Sequence, residues 1–278
     1  MQRTRLARRS VLGGLGLTLA AAGTARAGPR AALWPRWQAR TPGSTRTVDH
    51  GRWAGFLGRY LVEGGDGITR VRYGAVAAAD RESLTTYLGT LALTPVDELD
   101  APEQMAFWIN LYNALTVQLI LEHAPKRSIR EINISPGLFA RGPWGRKLVT
   151  VMGEPLSLDD IEHRILRPIW QDNRIHYAVN CASLGCPNLR AEPYQAARLE
   201  TQLENQAARF VNHPRGCRVE RGELDVSSIY DWFVEDFGGD AAGVIAHLKE
   251  HAAPPLRNQL QPIRFISGHS YDWSLNAA

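Results

Sequence analysis

A chain of 278 residues can bury a sizeable core, and 44% hydrophobic with 22% charged side chains excludes a disordered or fibrous protein. The formal charge of +4 gathers at one end: Arg3, Arg5, Arg8, Arg9 and Arg26 fall in the first 27 residues, which hold no acid, leaving 27 basic against 28 acidic side chains beyond them. That balance removes any charge-based reason to expect nucleic acid or an anionic membrane as partner.

Residues 1–27 read as an export signal. Arg8 and Arg9 precede an apolar run over 12–22, and Ala25-Arg26-Ala27 supplies a small-x-small cleavage pattern before Gly28. The run is too short and too glycine-rich to span a bilayer. The paired arginines point to the twin-arginine route, with the general secretory route as the alternative. The expected mature protein is periplasmic or secreted, with no integral membrane segment after cleavage. Residues 28–51, rich in Pro, Arg, Thr and Gly, predict a loose lead-in to one globular domain over 52–278.

Apolar spacing predicts a short helix over 53–61, a strand over 68–73 and a helix over 82–91. Asp100 then offers a cap and Pro102 a first helical position for a helix that is apolar nearly all round from 106 to 121, the mark of a buried element. Asn110 and Asn113 share one face of it. A buried amide without partners costs about 1–3 kcal/mol, so the pair should either tie the helix to a neighbouring loop or line a cleft.

A strand over 147–152, closed by Gly153-Glu154-Pro155, precedes a helix starting at Ser157 or Leu158 and running to about Trp170. Its apolar face is Leu158, Ile161, Ile165 and Ile169. Glu162 projects about 40° from Leu158 at helical spacing, so its carboxylate needs a partner, whether in a structural ion pair or beside a catalytic group. His163 lies further round, one turn before Arg167.

Residues 175–180 alternate as a strand and break into a small-residue turn, Cys181-Ala182-Ser183-Leu184-Gly185-Cys186-Pro187. A strand that delivers a cysteine to a loop rim suits a nucleophile. A local Cys181–Cys186 disulfide is the competing reading in an exported protein. Beyond it we expect a helix over 196–211, a hairpin over 218–226 turning near Gly222, a short aromatic helix over 227–237, a helix over 241–251 and a final strand over 262–266. Residues 268–276 are rich in aromatic, acidic and amide side chains and should dock on the core near the cleft. The fold class is α+β, a single domain with a buried central helix packed on a small, mostly antiparallel sheet.

Phe107 to Ala114, Ile161 to Arg167, His176 to Pro187, Tyr230-Asp231-Trp232-Phe233 before Asp236-Phe237, and the terminal Tyr271 to Asn276 occur here in a characteristic order. From about Trp53 to the C-terminus the chain resembles the domain of unknown function 547 family. That resemblance implies no activity. The order of elements is loosely similar to papain-like and transglutaminase-like thiol enzymes, which carry cysteine on the buried helix where this chain has Asn110 and Asn113.

The residues themselves support a cysteine-dependent hydrolase or acyltransferase acting on an amide or ester-type bond. Cys181 is the nucleophile. His163 or His176 takes its proton, with His163 preferred because five residues along a strand put His176 roughly 16 Å away. Glu162 or Asp272 orients the imidazole, and Asn110 or Asn113 serves a developing oxyanion. Asn113, His176, Asn180, Cys186 and Asp272 line the cleft. The alternative is a non-catalytic ligand-binding or scaffold domain shaped by a Cys181–Cys186 disulfide. A metal held by Cys181, Cys186 and His163 or His176 matches no strong zinc spacing, and no phosphate loop, dinucleotide fingerprint or Gly-x-Ser-x-Gly elbow occurs. No cofactor is expected, and the partner is a small molecule or peptide.

Overall fold

The structure, a computed structural model, describes residues 28–137 and 142–278; the export signal expected over 1–27 lies outside them. The lead-in is not loose. Trp37 is buried in a 3-10 turn, Pro35–Gln38, and meets Trp108 edge-on at 5.0 Å. The amides of Ala32 and Trp34 donate to the carbonyls of His163 and Arg164. Two indoles carry enough apolar area to dock a stretch whose Pro, Gly and Arg content reads as unstructured.

The helix α1 (Gly51–Tyr60) buries Trp53, Phe56, Leu57 and Tyr60, one helical stripe. It runs into a two-stranded hairpin, β1 (Leu61–Glu63) with β2 (Thr69–Val71), followed by α2 (Ala78–Ala92). The long α3 (Ala101–His123) forms where expected, its first turn closed by the Asp100 carboxylate accepting from the Glu103 amide. It is buried along most of its length and ends on Ala124 in the left-handed region. The hairpin β3 (Val149–Val151) and β4 (Glu154–Leu156) turns through Met152 and Gly153, both at positive φ.

The helix expected from Ser157 begins as a π-helical segment, Asp160–Leu166, and only then becomes α4 (Arg167–Trp170). Two corrections follow. The packing partners of α3 are chiefly α2 and this π-helical segment, so helices take the place of the sheet expected beneath it. The strand expected over 175–180 is a helical turn, α5 (Ile175–Ala178).

Beyond the cysteine loop come α6 (Leu199–Val211) and the hairpin β5 (Cys217–Glu220) with β6 (Glu223–Ser227), which turns at Arg221 and Gly222 as anticipated. The aromatic stretch makes α7 (Ile229–Trp232), α8 (Ala241–His251) is capped by Asp240, and Pro254 opens an unanticipated α9 (Pro254–Leu260). The last strand, β7 (Gly268–Ser270), lies later than expected and pairs parallel with β6. The result is an α+β domain with small sheets of two or three strands. One apolar core surrounds α3 and a second gathers α6, β5, β6 and α8; α5 contributes Ile175 to the first and Tyr177 to the second. The cysteine loop leaves α5 at that junction. Among the described residues no helix is long and apolar enough to cross a membrane.

Candidate functional site

The loop begins with a local turn. The Asp172 carboxylate accepts from the Arg174 amide, and the amides of Ile175, His176 and Tyr177 donate to the carbonyls of residues 172, 173 and 174. Residues 175–180 are all buried, so their alternation carries no inside-outside meaning and local turn chemistry prevails. At Val179 the chain becomes extended.

Asn113 fastens it there. Its Nδ2 donates to the Ala178 carbonyl at 2.9 Å and its Oδ1 accepts from the Asn180 amide at 2.8 Å. The Asn180 side chain closes the loop on itself, donating to Pro187 O and accepting from the Ala182 amide, so it builds the loop rather than facing a ligand. Ala182, next to Cys181, sits at φ 58°, a strained conformation held by these bonds.

The chain end docks on this loop, as expected. The amides of Leu184 and Gly185 donate to Ser274 O and Asp272 O, and the Asn276 amide donates to Ala182 O. A Cβ on residue 185 would meet the backbone N of Asp272 at 2.7 Å, so glycine is what lets the two segments approach. Asp272 itself is exposed, its carboxylate accepting from the Ser274 amide. Among the described residues it has no histidine partner, which leaves Glu162 as the remaining candidate of the two carboxylates expected to orient an imidazole.

The Cys181 sulfur is the convergence point of this construction. Cys186 Sγ lies 3.1 Å away and Tyr271 Oη 3.0 Å away, with Ser183 Oγ at 3.3 Å. The Ser183 hydroxyl also lies 2.9 Å from Tyr271, so its proton goes to one acceptor at a time. Cys186 Sγ accepts both the Cys181 amide and, while Cys181 is protonated, its S–H; once Cys181 is ionised the proton between the two sulfurs is the one Cys186 keeps. These donors, Cys186 first, pull the Cys181 thiol below its ordinary value against the opposing pull of burial, while the Glu162 carboxylate pushes it up. Cys186 moves the other way, far up, through burial and the neighbouring Cys181. The third cysteine, Cys217, is buried in β5 and pushed up to about 12.

The histidines gather elsewhere. Among the described residues the sulfur has no imidazole within hydrogen-bonding distance, so the expected His163–Cys181 pair is not formed. His163 Nδ1 accepts from Arg167 Nη1 at 2.9 Å, and burial lowers its pKa to about 4, making it a neutral acceptor. His176 stacks on Phe233 at 4.4 Å and its Nε2 faces Asp236 Oδ2 at 2.6 Å. Asp236 also accepts from Arg167 Nε at 2.6 Å. Burial raises the Asp236 carboxyl, but these two partners outweigh it and hold the group well below the usual carboxylate range.

Glu162 lies beside both imidazoles, near enough to the sulfur for its charge to act on the thiol. Its Oε1 is 3.9 Å from both His163 Nδ1 and His176 Nδ1, and its charge helps push the Tyr112 phenol up, after burial. It is buried, as the helical wheel predicted, but the π-helical winding brings His163 inward as well. Asp159, 3.8 Å from His163 Nε2, is raised to about 6 by burial, then by Glu162 and Asp160.

Asn110 is a structural tie. It is fully buried, with Nδ2 donating to Tyr194 O at 2.8 Å and Oδ1 accepting from Tyr194 N at 3.0 Å, which removes it from the expected oxyanion role. The structure therefore groups Cys181, Cys186, Glu162, His176 and Asn113 around one junction and leaves Asn110 and Asp272 to other tasks. Sequence reasoning passed over Ser183, Tyr271, Asp236, Arg167 and Asp159. Tyr271 and Asp236 lie inside the motifs noted above, but only the docking of the chain end shows what they touch. Around Tyr271 the aromatic rings of Trp232 and Trp273 pack at 4.9 and 4.7 Å, forming a half-buried rim beside the sulfur.

Residues 96–211 match the model of a family described as "Protein of unknown function, DUF547". The matched segment holds α3, the π-helical segment and the cysteine loop. No curated protein and no solved structure matches the chain.

Proposed function

We propose that the chain, whose residues 96–211 match the domain of unknown function 547 family, is a cysteine-dependent hydrolase or acyltransferase acting on an amide or ester-type bond. The observation that carries this reading is the set of side-chain donors aimed at the Cys181 sulfur, which stabilise a thiolate without a neighbouring imidazole. The thiolate adds to a carbonyl carbon, the leaving group departs with a proton, and water then hydrolyses the thioester or an acceptor takes the acyl group. The Tyr271 hydroxyl keeps its proton to high pH and already points at the sulfur, so it supplies that proton and recovers one from solvent. The Asp236–His176 pair and Glu162 set the charge behind the sulfur rather than abstracting its proton.

The test is acyl trapping with an activated ester such as p-nitrophenyl acetate. The expected result is a burst of about one nitrophenol per chain and a hydroxylamine-sensitive acyl group on Cys181, both absent in Cys181→Ser. No burst and no acyl-Cys181 by mass spectrometry would overturn the proposal.

A second reading, a non-catalytic ligand-binding or scaffold domain closed by a Cys181–Cys186 bridge, is favoured by the 3.1 Å separation of the two sulfurs. Quantitative bridging in freshly isolated protein, resistant to mild reduction, would select it. We further propose export to the periplasm or medium, from the Arg8-Arg9 pair and the apolar run after it. N-terminal sequencing of protein from its host should begin at Gly28, and an intact Met1 would count against export.

A further inference from the structure

Away from the cysteine loop, α8 carries His247, Glu250 and His251 on one face, at the i, i+3 and i+4 spacing that brings helical side chains together. One ligand-type atom from each lies within 4.8 Å of the other two. Both histidines are buried and Glu250 is exposed, so the group opens to solvent on its carboxylate side.

Each imidazole has one nitrogen engaged and one left over. His251 Nδ1 lies 2.9 Å from Glu204 Oε1; an ionised carboxylate only accepts, so the proton sits on Nδ1 and Nε2 keeps its lone pair. His247 Nε2 lies 2.6 Å from the Tyr177 hydroxyl, which lies 3.0 Å from the Tyr230 hydroxyl. With Tyr177 donating to Tyr230 and accepting from His247 Nε2–H, His247 Nδ1 also keeps its lone pair. Neither leftover nitrogen has a hydrogen-bond partner among the described residues, and neither is a sealed, unsatisfied atom. Histidines whose second ring nitrogens are fixed by a carboxylate and a hydroxyl are set up as ligands. His251 is also the last residue of α8, where the carbonyl end of the helix favours a cation.

We propose that His247, Glu250 and His251 bind a divalent transition ion of the zinc class, with water completing a four-coordinate shell. Two imidazole nitrogens and one carboxylate oxygen select zinc, cobalt, nickel or copper over calcium and magnesium. Zinc bonds of about 2.0–2.1 Å require the ligand atoms to close up, and Glu250, exposed and in no ion pair among the described residues, is free to swing in. Phe237 packs against both His247 at 4.9 Å and His176 at 5.3 Å, so an ion here would stiffen the ring that backs the Asp236–His176 pair.

The experiment uses tag-free, chelator-stripped protein carrying Cys181→Ser and Cys186→Ser, so that thiols offer no competing site. Cobalt(II) chloride is titrated in, followed by zinc chloride, with equilibrium dialysis for stoichiometry. The expected result is one ion per chain, the visible absorption of four-coordinate cobalt, and a thermal midpoint that rises with zinc. Glu250→Gln, at an exposed position that cannot disturb folding, and His251→Gln should each weaken uptake by about tenfold or more. Absence of stoichiometric uptake, or uptake undiminished in the Glu250→Gln, His251→Gln double variant, overturns the proposal.

Discussion

Tyr271→Phe isolates what the hydroxyl does for the Cys181 sulfur. The substitution keeps the ring against Trp232 and Trp273 and removes only an oxygen 3.0 Å from Sγ. A hydrogen bond to a charged group contributes about 1.5–3 kcal/mol. At about 1.4 kcal/mol per unit, losing it raises the thiol pKa by about one to two units. Below both values the thiolate fraction falls roughly 10- to 100-fold. The more basic thiolate is intrinsically about three- to eightfold more nucleophilic, so the net loss in alkylation rate is about 3- to 12-fold. Above both values the order inverts and the variant reacts faster. The assay is a pH series of iodoacetamide alkylation, with Cys181 followed by peptide mass spectrometry. Superimposable profiles for wild type and variant, with no crossover, would refute the account of a thiolate held by donors.

The remaining predictions concern the groups around the sulfur. Glu162 pushes the thiol up, so Glu162→Gln should lower the Cys181 pKa and move the midpoint of its alkylation profile to lower pH; a midpoint moved to higher pH would show that the carboxylate assists ionisation instead. Asn113→Leu leaves the Ala178 carbonyl and Asn180 amide unpaired in a buried setting, each costing about 1–3 kcal/mol, and the urea midpoint should fall accordingly. An unchanged midpoint would mean that the loop is held by other bonds. His50 and His163 are both buried with pKa lowered from 6.5 to about 4, so between those values the unfolded chain binds protons that the folded chain refuses. Their contribution is complete above about 6.5 and is lost as pH falls toward about 4, on the order of 3 kcal/mol apiece. Urea titrations at pH 7 and pH 4.5 should show the decline, and His163→Gln should flatten its share; equal slopes in both proteins would refute the assignment.

Elements whose cause is local were legible in the chain. Asp100 and Pro102 start α3, and its apolar residues on every side mark it as buried whatever surrounds it. The glycine-bearing turn at Gly222 places its hairpin to within a residue or two, and Gly153 marks the end of β3 but not the returning strand β4. The burial of Glu162 and of both asparagines also follows from helical spacing, because a side chain one turn from an apolar stripe goes where the stripe goes. Even the docking of the last ten residues is foreshadowed by their aromatic and amide content.

Tertiary structure decided what those side chains meet. Residues 175–180 alternate in sequence, yet every one is buried, so the pattern could not separate strand from helical turn and the Asp172 bond settled it. The π-helical winding that turns both Glu162 and His163 inward has no signature in an apolar period. One partner of the sulfur and one of His176 come from 90 and 60 residues away, Tyr271 along the docked chain end and Asp236 after α7. Local spacing ranks which groups are buried; only the closing of those long loops, driven by apolar packing of the two cores, selects which buried groups become neighbours.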